Sequence, residues 1–269
     1  MLAKKQINKN HEEAILAKPQ HSVFMIQLLQ EGVNKRKSLR WITKCHMSPS
    51  SEAYLFAAQE LAIITRFHEQ NILKSRSEDT CRMCFKAPER IGHILAGCDV
   101  LAGREYLKRH NDVARYVHKV ICEYYGVKTK PKWHEHSPKD VILCGSVEIV
   151  WDQVLITDRQ IGANRPDVVV RDKKNKKVWI LDVACPTDVN VVRKESEKIN
   201  KYCGLKAELG KMWRADVVII PVVIGSLGTV SNKLEAYLKE VPGCPSMEMC
   251  QKITLLGSER ILRSFLSSK

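Results

Sequence analysis

Residues 165–186, RPDVVVRDKKNKKVWILDVACP, contain two runs of β-branched and aliphatic residues around a lysine-rich tip. These runs predict two strands, over residues 167–172 and 177–184, joined by a turn. A symmetric turn at the tip places Asp167 directly opposite Asp182, with both carboxylates on one face of the sheet. Because opposed like charges destabilise a strand pair, the arrangement requires a shared proton, a cation or a basic side chain.

The pattern around this hairpin predicts the rest of the core. Residues 147–157 are strand-like, and residues 191–213 have a helical pattern. Residues 217–224 and 231–241 predict a buried strand and a closing helix. The expected fold is therefore α/β (α+β), a mixed sheet flanked by helices, with a right-handed crossover if the last strand is parallel.

Lys198 lies in the middle of the apolar face of the predicted helix, and Tyr202 follows one turn later on the same face. A lysine in such a position needs a partner. The helix follows the Asp182 strand within a few residues, so Lys198 can point at the acidic pair. Two alternatives are that Lys198 extends to the edge of the sheet, or that it pairs with Glu195.

Composition limits the class of partner. The chain has 269 residues, of which 44% are hydrophobic, and its 44 Lys and Arg against 30 Asp and Glu give a formal net charge of +14. That charge favours a polyanionic partner such as nucleic acid. The longest charge-free apolar run, residues 217–232, is shorter than the roughly 20 residues of a spanning helix and contains proline and glycine, so no membrane span is expected. The polar N-terminus predicts an intracellular protein.

Three of the ten cysteines lie close to a histidine in the sequence. Cys81, Cys84, His93 and Cys98 offer three thiolates and one imidazole, which is the ligand set of a closed, structural zinc site. The alternative is that four ordinary residues are buried together by chance. Because all four coordination positions are filled, such a site stabilises structure and leaves no position open for catalysis.

A polar cluster, Arg109-His110-Asn111, follows the cysteines on a second helical pattern. One interpretation is a contact with DNA. His110, however, falls on the apolar stripe of this helix, so a packed, hydrogen-bonded histidine is the other interpretation.

The sequence divides into four regions. Residues 1–50 are a partly irregular lead-in. Residues 51–130 form a helical linker, with one helix predicted from residue 51 to residue 73. The linker contains the group of three cysteines and one histidine at residues 81–98, which we call the zinc knuckle. A Lys- and Pro-rich loop then precedes the core at residues 140–245. Residues 246–269 are a helical C-terminal tail.

Two carboxylates, a lysine and a basic surround suit metal-assisted phosphodiester hydrolysis. A hard cation, Mg²⁺ or Mn²⁺, prefers carboxylate oxygens such as those of Asp167 and Asp182. The Lys198 ammonium can stabilise charge that builds on phosphoryl oxygens. Residues 165–214 contain thirteen Lys or Arg against seven Asp or Glu, and Lys173 and Lys174 at the hairpin tip are candidate contacts to DNA phosphates.

A Pro-Asp, fourteen intervening residues and a second Asp resemble the restriction-like nuclease core of the PD-(D/E)XK superfamily. The lysine expected two residues after the second acid is here Ala184. One branch carries that lysine on the following helix: the C-terminal endonuclease domain of site-specific non-LTR retrotransposons that insert into ribosomal DNA. Its knuckle, Arg-His-Asn-like cluster, acid pair and Lys-x-x-x-Tyr motif all occur here in the same order, the last as Lys198 and Tyr202.

The resemblance implies a restriction-endonuclease-like nuclease in the nucleus, with DNA and element RNA as partners. It assigns catalysis to Asp167, Asp182, Lys198 and Tyr202, and DNA contacts to Arg109, His110 and Asn111. No Asp-Asp pair occurs in the sequence, so we expect no polymerase active site in it. The chain is then a fragment of a polyprotein, a degraded copy or a host gene. The alternative function is a catalytically inactive, zinc-stabilised DNA-binding protein.

Overall fold

The computed structural model describes residues 2–18 and 22–267 of the protein. Its centre is a five-stranded mixed sheet in the order β1-β2-β3-β4-β5. The first four strands form an antiparallel meander, and β5 joins β4 in parallel. The strands are β1 (Val141–Cys144), β2 (Val147–Trp151), β3 (Val168–Asp172), β4 (Lys177–Ala184) and β5 (Asp216–Val223).

Helices surround this sheet, and the fold is mixed α/β. The α-helices are α1 (Leu2–Leu16), α2 (Val23–Leu28), α3 (Lys35–Ser38), α4 (Trp41–Lys44), α5 (Pro49–Gln59), α6 (Arg66–His68), α7 (Ile91–Ala96), α8 (Asp99–Leu101), α9 (Leu107–Tyr124), α10 (Val191–Trp213), α11 (Leu234–Glu240) and α12 (Met247–Ser267). Short π-helical turns at Glu69–Leu73 and Ala102–Tyr106 continue α6 and α8, and 3₁₀ turns lie at Trp133–Glu135 and Asp188–Asn190. Among the helices of the described ranges, none is both long and apolar enough to cross a bilayer.

The register of the β3–β4 hairpin confirms the prediction that two acids face each other. Val168 pairs with Leu181, and the pairing runs without a bulge to the turn. One further step in the same register brings Asp167 opposite Asp182. The bounds of β4 and α10 also coincide with those predicted.

Three other predictions differ from the structure. Strand β1 was not expected, and the strand-like stretch 147–157 ends at Trp151. The long helix predicted over residues 51–73 is wrong, because α5 ends at Gln59 and Leu61 has a left-handed backbone with φ of 56°. A new helical segment begins after Thr65, whose side chain caps it. Residues 1, 19–21 and 268–269 of the predicted lead-in and tail lie outside the described residues.

The two faces of the sheet pack against different helices. Val168, Val170, Leu181 and Val183 alternate along β3 and β4 on the face covered by α9, α11 and α12. Val169, Val178 and Ile180 point to the other face, where Tyr202, Leu205 and Leu209 of α10 cover them. By the same alternation, Asp167 and Asp182 belong to the α10 face.

Helix α12 joins the sheet to the cysteine-rich region. Its first half contributes Cys250 and Ile253 to the core beside the sheet. Its second half packs Leu262 and Phe265 against Ile94 and Leu95 of α7. The predicted tail is therefore a central element of the packing.

The buried guanidinium of Arg109 ties three elements together at this junction. Arg109 is 1% exposed. It donates to the Leu95 carbonyl of α7 (2.8 Å), to the Cys185 carbonyl at the end of β4 (3.0 Å) and to Ser258 Oγ of α12 (2.9 Å). Gly257 leaves room for it, since a Cβ there would lie 2.7 Å from Arg109 Cγ.

This placement argues against the predicted contact between Arg109 and DNA. The Arg109 side chain has three partners inside the protein and almost no exposed surface, so it is not accessible to a DNA phosphate. A buried guanidinium that satisfies two carbonyls is instead costly to remove, because each carbonyl left unpaired carries a desolvation penalty.

We expect Arg109→Met to lower the free energy of unfolding by about 2–5 kcal/mol, since it leaves buried carbonyls without a donor. Urea unfolding followed by circular dichroism measures this. Arg104→Met is the control, because that side chain is 85% exposed and its loss should cost under about 0.5 kcal/mol. Equal stability of the two variants would contradict the junction role of Arg109.

Candidate active site

Asp182 lies against two side chains of α10. The Lys198 ammonium forms an ion pair with Asp182 Oδ2, and the Tyr202 hydroxyl donates to Oδ1 at 2.5 Å. Both reach Asp182 because α10 follows β4 directly in the chain and packs back onto the face that carries the acid. Glu195 is not the partner of Lys198, since its carboxylate accepts a hydrogen bond from Ser231 Oγ.

Asp167 is held from the other side by α9. Its Oδ2 lies 3.0 Å from His110 Nε2 and accepts a hydrogen bond from the backbone N–H of Val183 at 2.6 Å. Asn111 Oδ1 lies 2.9 Å from His110 Nδ1. Of the two interpretations of His110, the packed and hydrogen-bonded histidine agrees with these contacts, and its partner is Asp167, with Asn111 orienting the imidazole.

The electrostatics of these contacts favour charged partners and a neutral phenol. Burial alone lowers the pKa of His110, but the hydrogen bond and charge of Asp167 outweigh it, so the pKa is raised. Burial likewise works against the Asp167 carboxylate, yet His110 and the Val183 amide hold its pKa below the ordinary value. Burial, then the hydrogen bond to Asp182, raise the pKa of Tyr202, so its hydroxyl remains a donor.

Lys201 is a site residue that the sequence reading missed. Its ammonium lies 3.7 Å from Asp182 Oδ1 and 4.6 Å from the centre of the Tyr202 ring, and the side chain is 44% exposed. Its position three residues after Lys198 could have identified it, because residues three apart are neighbours on one face of a helix. Two ammonium groups thus approach one buried carboxylate.

One feature of the acid pair fits a bound cation. Asp182 is 2% exposed, and its Oδ2 accepts no hydrogen bond from the residues that the structure describes, although Lys198 lies against it as an ion partner. The positive partner of that oxygen is the Lys198 ammonium, so a metal ion would bind it only if Lys198 moved aside. The donor set of Asp167 and Asp182 is the oxygen-rich type that hard divalent cations prefer.

A cavity of about 590 Å³ opens beside His110, the residue that contacts Asp167. His110 lines it, with Gly97 from the knuckle and Arg193 and Lys194 from the first turn of α10. Arg193 is 68% exposed and pairs only loosely with Glu197, at 3.6 Å. Lys194 forms an ion pair with the same Glu197, so the cavity offers two cationic side chains that share one carboxylate partner.

Lys173 and Lys174 do not join this site. Both are exposed in the turn between β3 and β4, at the far end of β3 from Asp167. Five residues of strand separate that turn from Asp167, roughly 17 Å at the usual rise. Any contact of these lysines with DNA would fall well away from the acids.

The four predicted metal ligands come together in the knuckle. The ligand atoms of Cys81, Cys84, His93 and Cys98 all lie within 4.8 Å of one another, so they could hold one metal ion. Cys84 Sγ lies 3.3 Å from His93 Nε2, and the sulfurs of Cys81 and Cys98 are 4.0 Å apart. All four side chains are buried or half-buried.

Tyr106 connects this group to the Arg109 junction. Its hydroxyl donates to the Ile94 carbonyl at 2.8 Å and accepts the N–H of Cys98 at 3.0 Å, while its ring lies 5.5 Å from the Arg109 guanidinium. The backbone of Cys98, one of the four possible metal ligands, is thereby fixed relative to α9.

Comparison of the chain with protein-family models finds no match, and comparison with curated proteins finds no significant one.

Proposed function

We propose that this chain is a metal-dependent DNA endonuclease with a restriction-endonuclease-like core. The observation that carries the proposal is the contact of Asp182 with both Lys198 and Tyr202, on the sheet face that also bears Asp167. The net charge of +14, together with Arg193 and Lys194 in the cavity that His110 lines, supports a nucleic-acid substrate.

The residues divide the work of phosphodiester hydrolysis. Mg²⁺ or Mn²⁺, held by Asp167 and Asp182, would polarise the phosphate and lower the pKa of a bound water. Lys198 can move from the carboxylate to a phosphoryl oxygen and stabilise negative charge there. Tyr202 fixes the orientation of Asp182, and His110 fixes that of Asp167. Arg193 and Lys194 can hold the neighbouring phosphate of the strand.

The knuckle supports this core as a structural zinc site. Three thiolates and an imidazole are the ligands typical of a closed tetrahedral zinc. Such a site would take no part in the hydrolysis, because it has no open coordination position. It would stabilise the α7 region that forms one wall of the cavity lined by His110.

The order of the motifs supports a more specific role. Four features occur in the same order as in the retrotransposon endonucleases that nick target DNA so that element RNA can be copied from the exposed end. They are the knuckle, Arg109-His110-Asn111, the acid pair and the helical Lys198. DNA in the nucleus is then the substrate, and element RNA is a second partner. The competing function is a DNA-binding protein that retains the fold but does not cleave.

Asp182→Asn should abolish nicking of supercoiled plasmid in Mg²⁺ or Mn²⁺, with a loss of at least about 100-fold, because it removes a charge needed for the cation. Gel analysis of relaxed circles measures the rate. Asp216→Asn, an exposed acid on the neighbouring strand, should leave the rate unchanged.

Equal nicking by wild type and Asp182→Asn would exclude the assignment of Asp182. If none of the proteins nicks DNA while all bind it, the non-cleaving DNA-binding function replaces the nuclease.

Lys198→Met should slow nicking by about 100-fold, since it removes the cation that stabilises the transition state. Tyr202→Phe should slow it by about tenfold, the cost of one lost orienting hydrogen bond. Lys206→Met, an exposed lysine on the same helix, is the matched control. DNA binding and circular dichroism must stay close to wild type for the comparison. A Lys198→Met rate within twofold of the control argues that Lys198 only balances charge.

Cys84→Ser should release about one zinc ion per chain and lower the thermal midpoint, because the binding energy of a structural metal is part of the folding energy. Cys203→Ser is the control, since Cys203 is exposed and outside the knuckle. Zinc content by mass spectrometry and a thermal melt give both readouts. Unchanged zinc content in Cys84→Ser would remove Cys84 from the ligand set.

A further inference from the structure

A second group of metal-ligand side chains lies away from both the acid pair and the knuckle. His118 and Cys122 occupy successive turns of α9 and project from one face of it. His136 comes from the segment between α9 and β1. The ligand atoms of all three residues lie within 4.8 Å of one another, and all three side chains are buried.

The distances within this trio are close to those of ligands that share one ion. His118 Nδ1 lies 2.8 Å from His136 Nε2 and 3.5 Å from Cys122 Sγ. Zinc bonds of about 2.0–2.1 Å to nitrogen and 2.3 Å to sulfur at tetrahedral angles separate two nitrogens by about 3.3 Å and a nitrogen from a sulfur by about 3.5 Å. The sulfur is thus already in place, and the two imidazoles need to separate by about half an ångström.

The surroundings give an ion both enclosure and access. The Trp151 ring meets the His118 ring edge-on at 5.4 Å, and β2 thereby closes one side. On the other side His136 lines a cavity of about 590 Å³ with Glu135 and Ser137. Water or a ligand from that cavity can fill the fourth coordination position.

We propose that His118, Cys122 and His136 form a second zinc site. The ion joins the segment before β1 to α9. That segment, residues 125–140, contains one short 3₁₀ turn and four lysines, so it has little regular structure to hold it. The proposal is independent of the nuclease function, because none of the three residues belongs to the acid pair.

Without an ion, the same trio is a hydrogen-bonded cluster. One of the two facing imidazole nitrogens then carries a proton, and Cys122 Sγ lies within hydrogen-bond distance of the same Nδ1 of His118. The two states differ in metal content and in whether the cysteine is a thiolate.

The test is the zinc content of the full chain, purified from zinc-supplemented cells and measured by mass spectrometry. Wild type should hold about two zinc ions per chain, and His136→Asn should hold about one. His134→Asn is the matched control: His134 lies two residues away with a 54% exposed side chain, and it should leave the content unchanged. Cys122→Ser should also hold about one ion, which gives a second variant if His136→Asn fails to fold.

Cobalt substitution gives a second readout. The knuckle supplies three thiolates and the second site one, so His136→Asn should lower the sulfur-to-cobalt charge-transfer absorbance by about a quarter. Equal zinc content and equal absorbance in wild type and His136→Asn would overturn the proposal and leave a hydrogen-bonded trio.

Discussion

The rest of the structure depends on one buried guanidinium. Arg109 satisfies carbonyls near the ends of α7 and β4 and a hydroxyl of α12, so it fixes the positions of the knuckle, the strand that bears Asp182 and the last helix relative to one another. His110 is the next residue of α9, and it contacts Asp167. Adjacent residues of one helix thus set the packing of the junction and the position of an acid, which couples the stability of the fold to the geometry of the site.

Charge compensation at the acid pair comes from outside the hairpin. Position 184, where a strand lysine would stand, is alanine, and the ammonium of Lys198 reaches Asp182 from α10 instead. The position of this ammonium group therefore depends on how α10 packs against the sheet. Tyr202 fixes that docking with a hydrogen bond to the same carboxylate, and Lys201 adds a second, more exposed charge.

The sequence patterns predicted those parts of the fold that depend on residues close together in the chain. The bounds of β4 and α10, the hairpin register and the four knuckle ligands follow from periodicity and spacing. The burial of Arg109 does not, because its partners at positions 95, 185 and 258 are distant in sequence and charged residues are usually exposed. The sequence offered a hydrogen-bonded His110 as one interpretation, but its partner Asp167 is distant in sequence and was not identified. Strand β1 was not predicted because an apolar run of only four residues, alternately exposed and half-buried, is too short for periodicity to identify.

The placement of Lys198 on a helix has a consequence for the order of folding. An isolated two-stranded hairpin is marginally stable, and the β3–β4 hairpin also carries two opposed acids. The Lys198 charge that compensates Asp182 arrives only when α10, the next helix of the chain, docks on the hairpin. Hairpin and helix should therefore form in one cooperative step, and a nascent chain that ends near Pro186 would contain both acids without a stable hairpin to hold them.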